Sequence, residues 1–379
     1  MNVKVKFLKF IDFTIGSIVS SLLHSTQKAP EQRSLSEIDG PILVIRPGGI
    51  GDAIMLLPLL KTLLELYPQR DIEVLCERRN EAIFKIALPH IKTVCYDKKS
   101  LSLITYLRRR KYAVVLDTEQ YHNFSAVFAK ITQAPLRIGF NTNPGRLSPY
   151  TRLVGYNTQG PEDKEFFRLL YSAVNVRDES SADTLPFESK QRAGIMKNAA
   201  LPDLPESIDQ IKSEILLVHA GGSIPQKRCP AKIMAEMCKF ANREFGLEVI
   251  VIGSNADNKY AQEIVQHSNN IAKNYCGQLS LAESAALCKK ALIVVGPDSA
   301  VAHLAIAVGT HVVMIFGPGN PVKWGPDENQ GIVVQGDVMC APCSVFGYTR
   351  RCSNPECTKN ITSEHLIGSL RSILNKMEN

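Results

Sequence analysis

The seven residues Arg46 to Asp52, read as R-P-G-G-I-G-D, constrain this chain more than any other stretch. They follow an apolar run, Pro41 to Ile45, and open a Leu-rich stretch, Ala53 to Tyr67, whose spacing predicts a helix kinked at Pro58. Strand, glycine turn and helix in that order form the entry to a doubly wound α/β domain, where ligands gather at the carboxyl ends of the strands. Gly48, Gly49 and Gly51 let the backbone come close to a ligand. Asp52 places a carboxylate at the helix mouth, where the macrodipole favours its ionised form. A diphosphate held there would meet that carboxylate as a second anion, so the loop suits proton acceptance better. An N-cap role for Asp52 is the alternative left open.

The same alternation recurs downstream. Ile72–Cys76, Thr93–Tyr96 and Ala113–Leu116 are short apolar runs separated by helical stretches, which implies a parallel sheet, and Ile138–Phe140 is expected to close it. A polar stretch from about Asp178 to Asp209, with Pro186, Pro202 and Pro205, reads as a linker. A second series follows, with strands expected at Ile215–Val218, Leu247–Ile252, Ala291–Val295 and His311–Phe316. A chain of 379 residues is long for one core and comfortable for two domains. The expected units are residues 40–185 and 210–360, then a final helix at residues 361–379, periodic from Ser363 to Lys376.

A net charge of +7 suits an anionic ligand or an anionic membrane surface. No RNP, zinc-finger or helix-turn-helix pattern is present, and aromatics are not interleaved with the basic residues, which argues against nucleic acid as a partner. Of ten cysteines, six (Cys76, Cys95, Cys229, Cys238, Cys276 and Cys288) are scattered, mostly in apolar segments, and read as buried thiols. The other four, Cys340, Cys343, Cys352 and Cys357, make C-x2-C-x8-C-x4-C. In a reducing compartment that spacing suggests a structural zinc or other metal knuckle, and in an oxidising one two disulfides. Within residues 1–30, Phe7, Leu8, Ile11, Ile15, Ile18, Val19, Leu22 and Leu23 recur at helical spacing behind Lys4, Lys6 and Lys9. No run there is long enough to span a bilayer, and Asp12 interrupts any signal-peptide core. An amphipathic helix lying on the membrane surface through residues 1–25 is the preferred reading, and a helix docked on its own domain the other.

Three segments of the second half sit where ligand loops belong. His219 to Pro230 (H-A-G-G-S-I-P-Q-K-R-C-P) offers small residues, the Ser223 hydroxyl and the Lys227 and Arg228 charges, able to wrap a diphosphate or to serve as a plain loop. Gly296 to His303 (G-P-D-S-A-V-A-H) offers Ser299 and Ala300 backbone N–H groups at a helix N-terminus. Asp298 there can be simply the N-cap, and His303 lies one turn into the helix. Gly317 to Pro326 (G-P-G-N-P-V-K-W-G-P) is turn-rich and carries the only Trp.

In this order the segments resemble glycosyltransferase family 9, the heptosyltransferases of lipopolysaccharide core assembly. The resemblance runs from Ile42 through Pro326. It rests on R-P-G-G-I-G-D, on R-I-G-F at Arg137–Phe140, on Q-K-R-C-P for the family's K-x-W-P, on P-D-S-A-V-A-H for D-[ST]-G-x-x-H, and on F-G-P-G-N-P-V-K-W-G-P. It implies a GT-B fold, two doubly wound Rossmann-like domains facing a cleft, with the last helix packing back on the first domain. It also implies that Asp52 is the general base, that Ser223 and Lys227 hold the donor diphosphate, and that Asp298, Ser299, Ala300 and His303 grip phosphates and sugar. Asp257 stands where the family has a ribose-binding Glu, and Leu279 where a backbone group meets adenine. Two departures stand out: Ala300 replaces a family Gly, which suits close approach only if the residue is helical, and Cys229 replaces a Trp.

The activity so implied is inverting transfer of a heptose or related sugar from an ADP-sugar to a lipid-linked glycan acceptor. With no D-x-D motif in a donor loop, no divalent ion is expected for catalysis. The expected location is the cytoplasm, at the inner face of the cytoplasmic membrane. A nucleotide-sugar epimerase or hydrolase, or a family 9 enzyme with another donor sugar, is the alternative. An NAD-dependent oxidoreductase fits poorly, because G-G-I-G-D lacks the G-x-G-x-x-G spacing.

Overall fold

Alternating apolar runs and amphipathic stretches build two parallel sheets of six strands each. The structure is a computed structural model and describes residues 33–97, 100–174, 192–345, 348–349 and 352–378. The amphipathic helix expected at residues 1–30 and residues 178–191 of the expected linker lie outside the described residues. The chain divides into two units, Met1–Gln191 and Arg192–Asn379.

The first unit runs β1 (Ile42–Arg46), α1 (Ile50–Leu66), β2 (Ile72–Cys76), α2 (Arg78–Ala87), β3 (Lys92–Cys95), α3 (Ser100–Arg109), β4 (Val114–Asp117), α4 (Asn123–Ile131), β5 (Leu136–Phe140), β6 (Arg152–Val154) and α5 (Glu162–Val174). Its strand order is β3-β2-β1-β4-β5-β6. Every residue of β1, β2, β4 and β5 is buried, as expected of parallel strands covered on both faces. β5 is not the edge that its apolar run suggested. β6 pairs outside it, Ile138 opposite Arg152, and escapes a hydropathy reading because it is short and begins with a charge. α1 begins three residues before Ala53, inside the glycine loop, with Gly49 as N-cap. Pro58 lies within that helix, and the Thr62 hydroxyl donates to the Pro58 carbonyl at 3.0 Å. Arg137 of the R-I-G-F segment is a structural strap: it is buried, and its Nε donates to the Pro149 carbonyl at 2.7 Å.

The second unit runs β7 (Ile215–His219), α6 (Ala231–Phe245), β8 (Glu248–Ile252), α7 (Asn258–His267), β9 (Ala272–Asn274), α8 (Leu281–Lys290), β10 (Ile293–Pro297), α9 (Ala300–Val308), β11 (His311–Phe316), β12 (Gly331–Gln335), an antiparallel pair β13 (Ser344–Val345) and β14 (Tyr348–Thr349), and α10 (Ser363–Glu378). Its sheet order, β12-β11-β10-β7-β8-β9, repeats that of the first unit when counted from its own first strand. In such a sheet the order reverses between the first and fourth strands, and ligands bind beyond the carboxyl ends there. That point lies between β1 and β4 in one unit and between β7 and β10 in the other.

One expectation about the chain's organisation needs amendment. Residues after the boundary, counted as linker, are pinned to the second unit: the Gly194 N–H donates to the Ile306 carbonyl at 2.9 Å and Met196 N–H to Ala307 at 2.6 Å. The apolar stripe of the final helix, Leu366, Leu370, Ile373 and Leu374, is buried in the second unit's core with Met234 and Met237 of α6. Among the described residues no helix is long and apolar enough to cross a membrane.

Candidate active site

In the first unit the switch point is built on Arg46. Gly48, at φ +112, turns the chain after β1, and Gly49 then caps α1. Asp52 sits at the third helical position and is reached from two sides. Its Oδ2 accepts the Gly49 N–H at 3.0 Å, and its Oδ1 pairs with Arg46 Nη2 at 2.9 Å. The helix-cap role and a base role are therefore compatible, since a carboxylate has about four lone-pair sites and two are occupied. The Asp52 side chain is 27% exposed whereas that of Arg46 is only 3% exposed, so the carboxylate is the accessible end of the pair.

Arg46 is held from behind. Its Nη1 donates to the Thr118 carbonyl at 2.7 Å, its guanidinium lies 5.2 Å from the Phe166 ring centre, and its own carbonyl accepts from Asn80 Nδ2 at 3.2 Å. Burial would lower its pKa, but Asp52, Glu119 and Glu162 raise it above the ordinary value. Glu119 follows β4 and is buried. Burial pushes its carboxyl up, yet His122, Arg46 and Arg146 prevail and hold it at about 2. The sequence reading missed this loop, Asp117 to His122, and Glu162 of α5, which accepts from Gln120 Nε2. Position was the available signal: D-T-E-Q-Y-H sits at the carboxyl end of a predicted strand beside the first.

In the second unit all three expected loops meet. Lys227 Nζ reaches Asp298 Oδ2 at 2.7 Å and the Asp298 carbonyl at 2.9 Å, so two of its three N–H donors are engaged. Asp298 Oδ1 lies 3.4 Å from His303 Nε2, and Arg192 Nη1 lies 3.2 Å from His303 Nδ1. An arginine can only donate, so Nδ1 accepts and the imidazole proton sits on Nε2, facing Asp298. Burial pushes the Asp298 carboxyl up, but Lys227 and His303 hold it well below the usual carboxylate range. Gly319 of the third loop lies so near that a Cβ there would stand 2.9 Å from Asp298 Oδ2, and a Cβ at Gly317 2.6 Å from the Gln226 carbonyl.

Asp298 is not the helix cap. Ser299 takes that position, with extended backbone and no side-chain cap bond. Its hydroxyl turns to His219 Nδ1 at 2.8 Å, which leaves the first N–H groups of α9 uncapped by any side chain. Ala300 is the first helical residue, which meets the condition attached to its replacement of glycine. Cys229, in place of the family Trp, is buried, and burial pushes its thiol up to about 12. Ser223 is exposed in the loop before Lys227.

Asp257 closes a helical cap of its own after β8. Its Oδ2 accepts the Ser254 N–H at 2.9 Å and the Ser254 hydroxyl at 2.6 Å, and its Oδ1 pairs with Arg228. Leu279 is half-buried, one residue before Ser280, which caps α8. Arg192 had no sequence signal at all, because it stands inside the stretch that reads as linker.

Of the C-terminal cysteines, Cys340 and Cys352 are exposed, Cys343 is half-buried and Cys357 buried, and none of the four is in a disulfide. Among the described residues no three His, Cys, Asp or Glu side chains are arranged to hold a metal ion. The four share one neighbourhood all the same, since burial and then the three other thiols raise the Cys357 pKa.

Residues 100–352 match the family model described as "Glycosyltransferase family 9 (heptosyltransferase)". The chain belongs to that family. The match spans the three loops of the second unit and begins after Asp52, so the glycosyltransferase assignment does not depend on the first loop. Among curated relatives, the lipopolysaccharide core heptosyltransferase OpsX of Haemophilus influenzae is 24% identical over 319 residues, 79% of this chain and 85% of that protein. Lipopolysaccharide heptosyltransferase 2 of Salmonella typhimurium is 26% identical over 315 residues, 78% of this chain and 87% of that protein. Among solved structures, the ADP-heptose lps heptosyltransferase II of E. coli superposes with a TM-score of 0.68 at 20% identity, covering 89% of this chain and 100% of that one. That likeness bears on the fold, two tandem doubly wound units of the GT-B kind.

Proposed function

We propose that this family 9 glycosyltransferase moves a heptose, with inversion, from ADP-heptose to a lipid-linked glycan of the lipopolysaccharide core. The observation that carries the reading is the cradle of the second unit: Lys227 braced on Asp298 beside an uncapped helix N-terminus at Ser299 and Ala300. A cation with a spare donor and free amides next to it suit a diphosphate. The names of the relatives supply the sugar and the acceptor class.

In the proposed reaction an acceptor hydroxyl attacks the sugar C1. The bond from C1 to the phosphate oxygen breaks on the opposite face and ADP departs with the electron pair. Asp52 takes the hydroxyl proton, with Arg46 fixing its carboxylate. Lys227 and the α9 amides stabilise the negative charge that grows on the diphosphate, the larger electrostatic contribution. Ser223 reaches the same diphosphate from the exposed loop, and His303 acts through Asp298. Asp257 and Leu279 border the ribose and adenine. Since both Asp257 oxygens are already engaged, its contact to a ribose hydroxyl uses a remaining lone pair.

The reaction needs no metal in this account. Zinc at Cys340, Cys343, Cys352 and Cys357 would be structural and would require the four thiols to draw together. Metal analysis of protein purified under reducing conditions tests this: one zinc per chain supports a knuckle, and none removes it. Residues 1–25 would hold the enzyme at the inner face of the cytoplasmic membrane, on the side where nucleotide sugars are made. The decisive assay offers ADP-heptose with and without lipid-linked core acceptors. Acceptor-dependent ADP release with a heptosylated product supports the proposal. Release of free sugar without acceptor would point to a hydrolase, and turnover of a UDP- or GDP-sugar alone would overturn the donor.

A further inference from the structure

The switch point of the second unit holds a buried histidine that the reaction as described leaves idle. His219 ends β7 and is 9% exposed. Two glycines confine it. A Cβ at Gly221 would stand 2.5 Å from its Nε2, and a Cβ at Gly296 2.8 Å from its Cβ, so Gly221 closes directly over the ring and Gly296 packs against its base. Its side chain makes a polar contact through Nδ1 to the Ser299 hydroxyl, at 2.8 Å. Ser299 occupies the cap position of α9 but does not cap it, so that hydroxyl is oriented by the histidine instead of the helix.

The proton count then decides what the pair can do. A diphosphate ester at neutral pH carries no N–H or O–H and only accepts. The serine hydroxyl has a single proton. If that proton goes to Nδ1, the oxygen turns lone pairs toward the incoming anion and repels it. If Nδ1 carries the hydrogen and donates to Oγ, the hydroxyl proton is free for a phosphate oxygen.

We propose that His219 is a positioning residue for donor binding: with Nδ1 protonated it orients the Ser299 hydroxyl to donate to the diphosphate. The inference rests on the reading that the Ser299 loop holds that diphosphate. Burial, with Arg228 adding and Asp257 opposing, lowers the imidazole pKa to about 4, so at neutral pH the ring is uncharged and has one proton to place. On Nδ1 that proton serves Ser299, and the bare Nε2 lies under Gly221, where Asp257 Oδ2 shares the space but accepts from the Ser254 N–H and hydroxyl.

The test is ADP affinity by calorimetry for wild type, Ser299→Ala, His219→Ala, His219→Asn and the Ser299→Ala/His219→Ala pair, with nitrogen NMR of the wild-type histidines in the presence of ADP. Loss of one charge-assisted hydrogen bond weakens ADP by about tenfold or more. Ser299→Ala and His219→Ala should each show that loss, the double variant no more than either, and His219→Asn, whose amide N–H can stand in for Nδ1–H, should recover most of it. The spectrum should show His219 protonated at Nδ1. If Ser299→Ala weakens binding while His219→Ala does not, or if the two losses add, the role of His219 is overturned and the donor site stands. If Ser299→Ala binds ADP like wild type, the donor reading of that loop fails and the inference falls with it. Should His219→Ala not fold, the wild-type spectrum decides, and protonation at Nε2 with ADP bound contradicts the proposal.

Discussion

The two sheets have one strand order, yet their switch points carry opposite chemistry. In the first unit the loop after β1 exposes a carboxylate, Asp52, and buries its cation, Arg46, behind it. In the second, the loops after β7 and β10 bury the carboxylate, Asp298, and leave the cation partly open: the Lys227 side chain is 17% exposed and that of Asp298 10%. Each unit contains an ion pair at the same topological place, and which partner faces solvent is reversed. In the proposed reaction one pair receives a proton and the other an anion. A shared fold sets where chemistry can occur, and a few loop residues set its sign.

The largest effect that could break this comparison is on turnover. Asp52→Asn should cut kcat by roughly 10²–10⁴-fold, the usual worth of a general base. A steady-state transfer assay checks it, and near-normal turnover would remove Asp52 from the reaction. Next is Lys227→Ala, expected to lower kcat/KM by about 10²–10³-fold through lost stabilisation of the departing phosphate. Lys227→Arg should recover little, because a planar fork does not reproduce a point charge seated on Asp298.

Acid should separate the units. The folded His219 imidazole has its pKa lowered to about 4 from an ordinary value of 6.5. Below pH 6.5 the unfolded chain gains a proton that the folded ring refuses, so the second unit loses stability down to about pH 4. By 1.36 kcal/mol per pKa unit, that loss totals roughly 3 kcal/mol. Glu119 has its pKa lowered to about 2 from 4.5, so its contribution to the first unit is complete above pH 4.5 and is lost only as pH falls toward 2. Hydrogen exchange at pH 7, 5 and 3 should show the second unit loosening first, and His219→Asn should flatten its response between pH 6.5 and 4. Earlier loosening of the first unit would contradict these assignments. The smallest effect concerns Arg46. Arg46→Lys keeps a charge but not two directed bonds, and a loss of about tenfold in kcat with unchanged KM is expected. A change in KM alone would make Arg46 a substrate ligand instead of a support for Asp52.

Much of the fold was legible because both sheets are buried on two faces and their central strands read as unbroken apolar runs. β6, β9 and β12 were not: β6 and β9 are three residues each with charged members, Arg152 and Lys273, and β12 opens on a glycine and ends on a glutamine. The candidate site was legible by loop and less so by the partners of each side chain. Strand ends, glycines and charges located Asp52, Lys227 and Asp298. Sequence spacing could not tell that Ser299 rather than Asp298 takes the cap position, since either type caps helices. Partners brought in from far along the chain, Arg192 to His303 and Thr118 to Arg46, leave no local pattern. The last helix shows the same limit: periodicity at Leu366, Leu370, Ile373 and Leu374 reveals an apolar stripe but not the core that receives it.

The division of labour itself is tested most directly by ADP calorimetry on wild type, Asp52→Asn and Lys227→Ala, with transfer rates measured on the same preparations. The account predicts that Asp52→Asn binds ADP like wild type while losing transfer, and that Lys227→Ala loses ADP affinity. Weakened ADP binding in Asp52→Asn, or unchanged binding in Lys227→Ala, would contradict it.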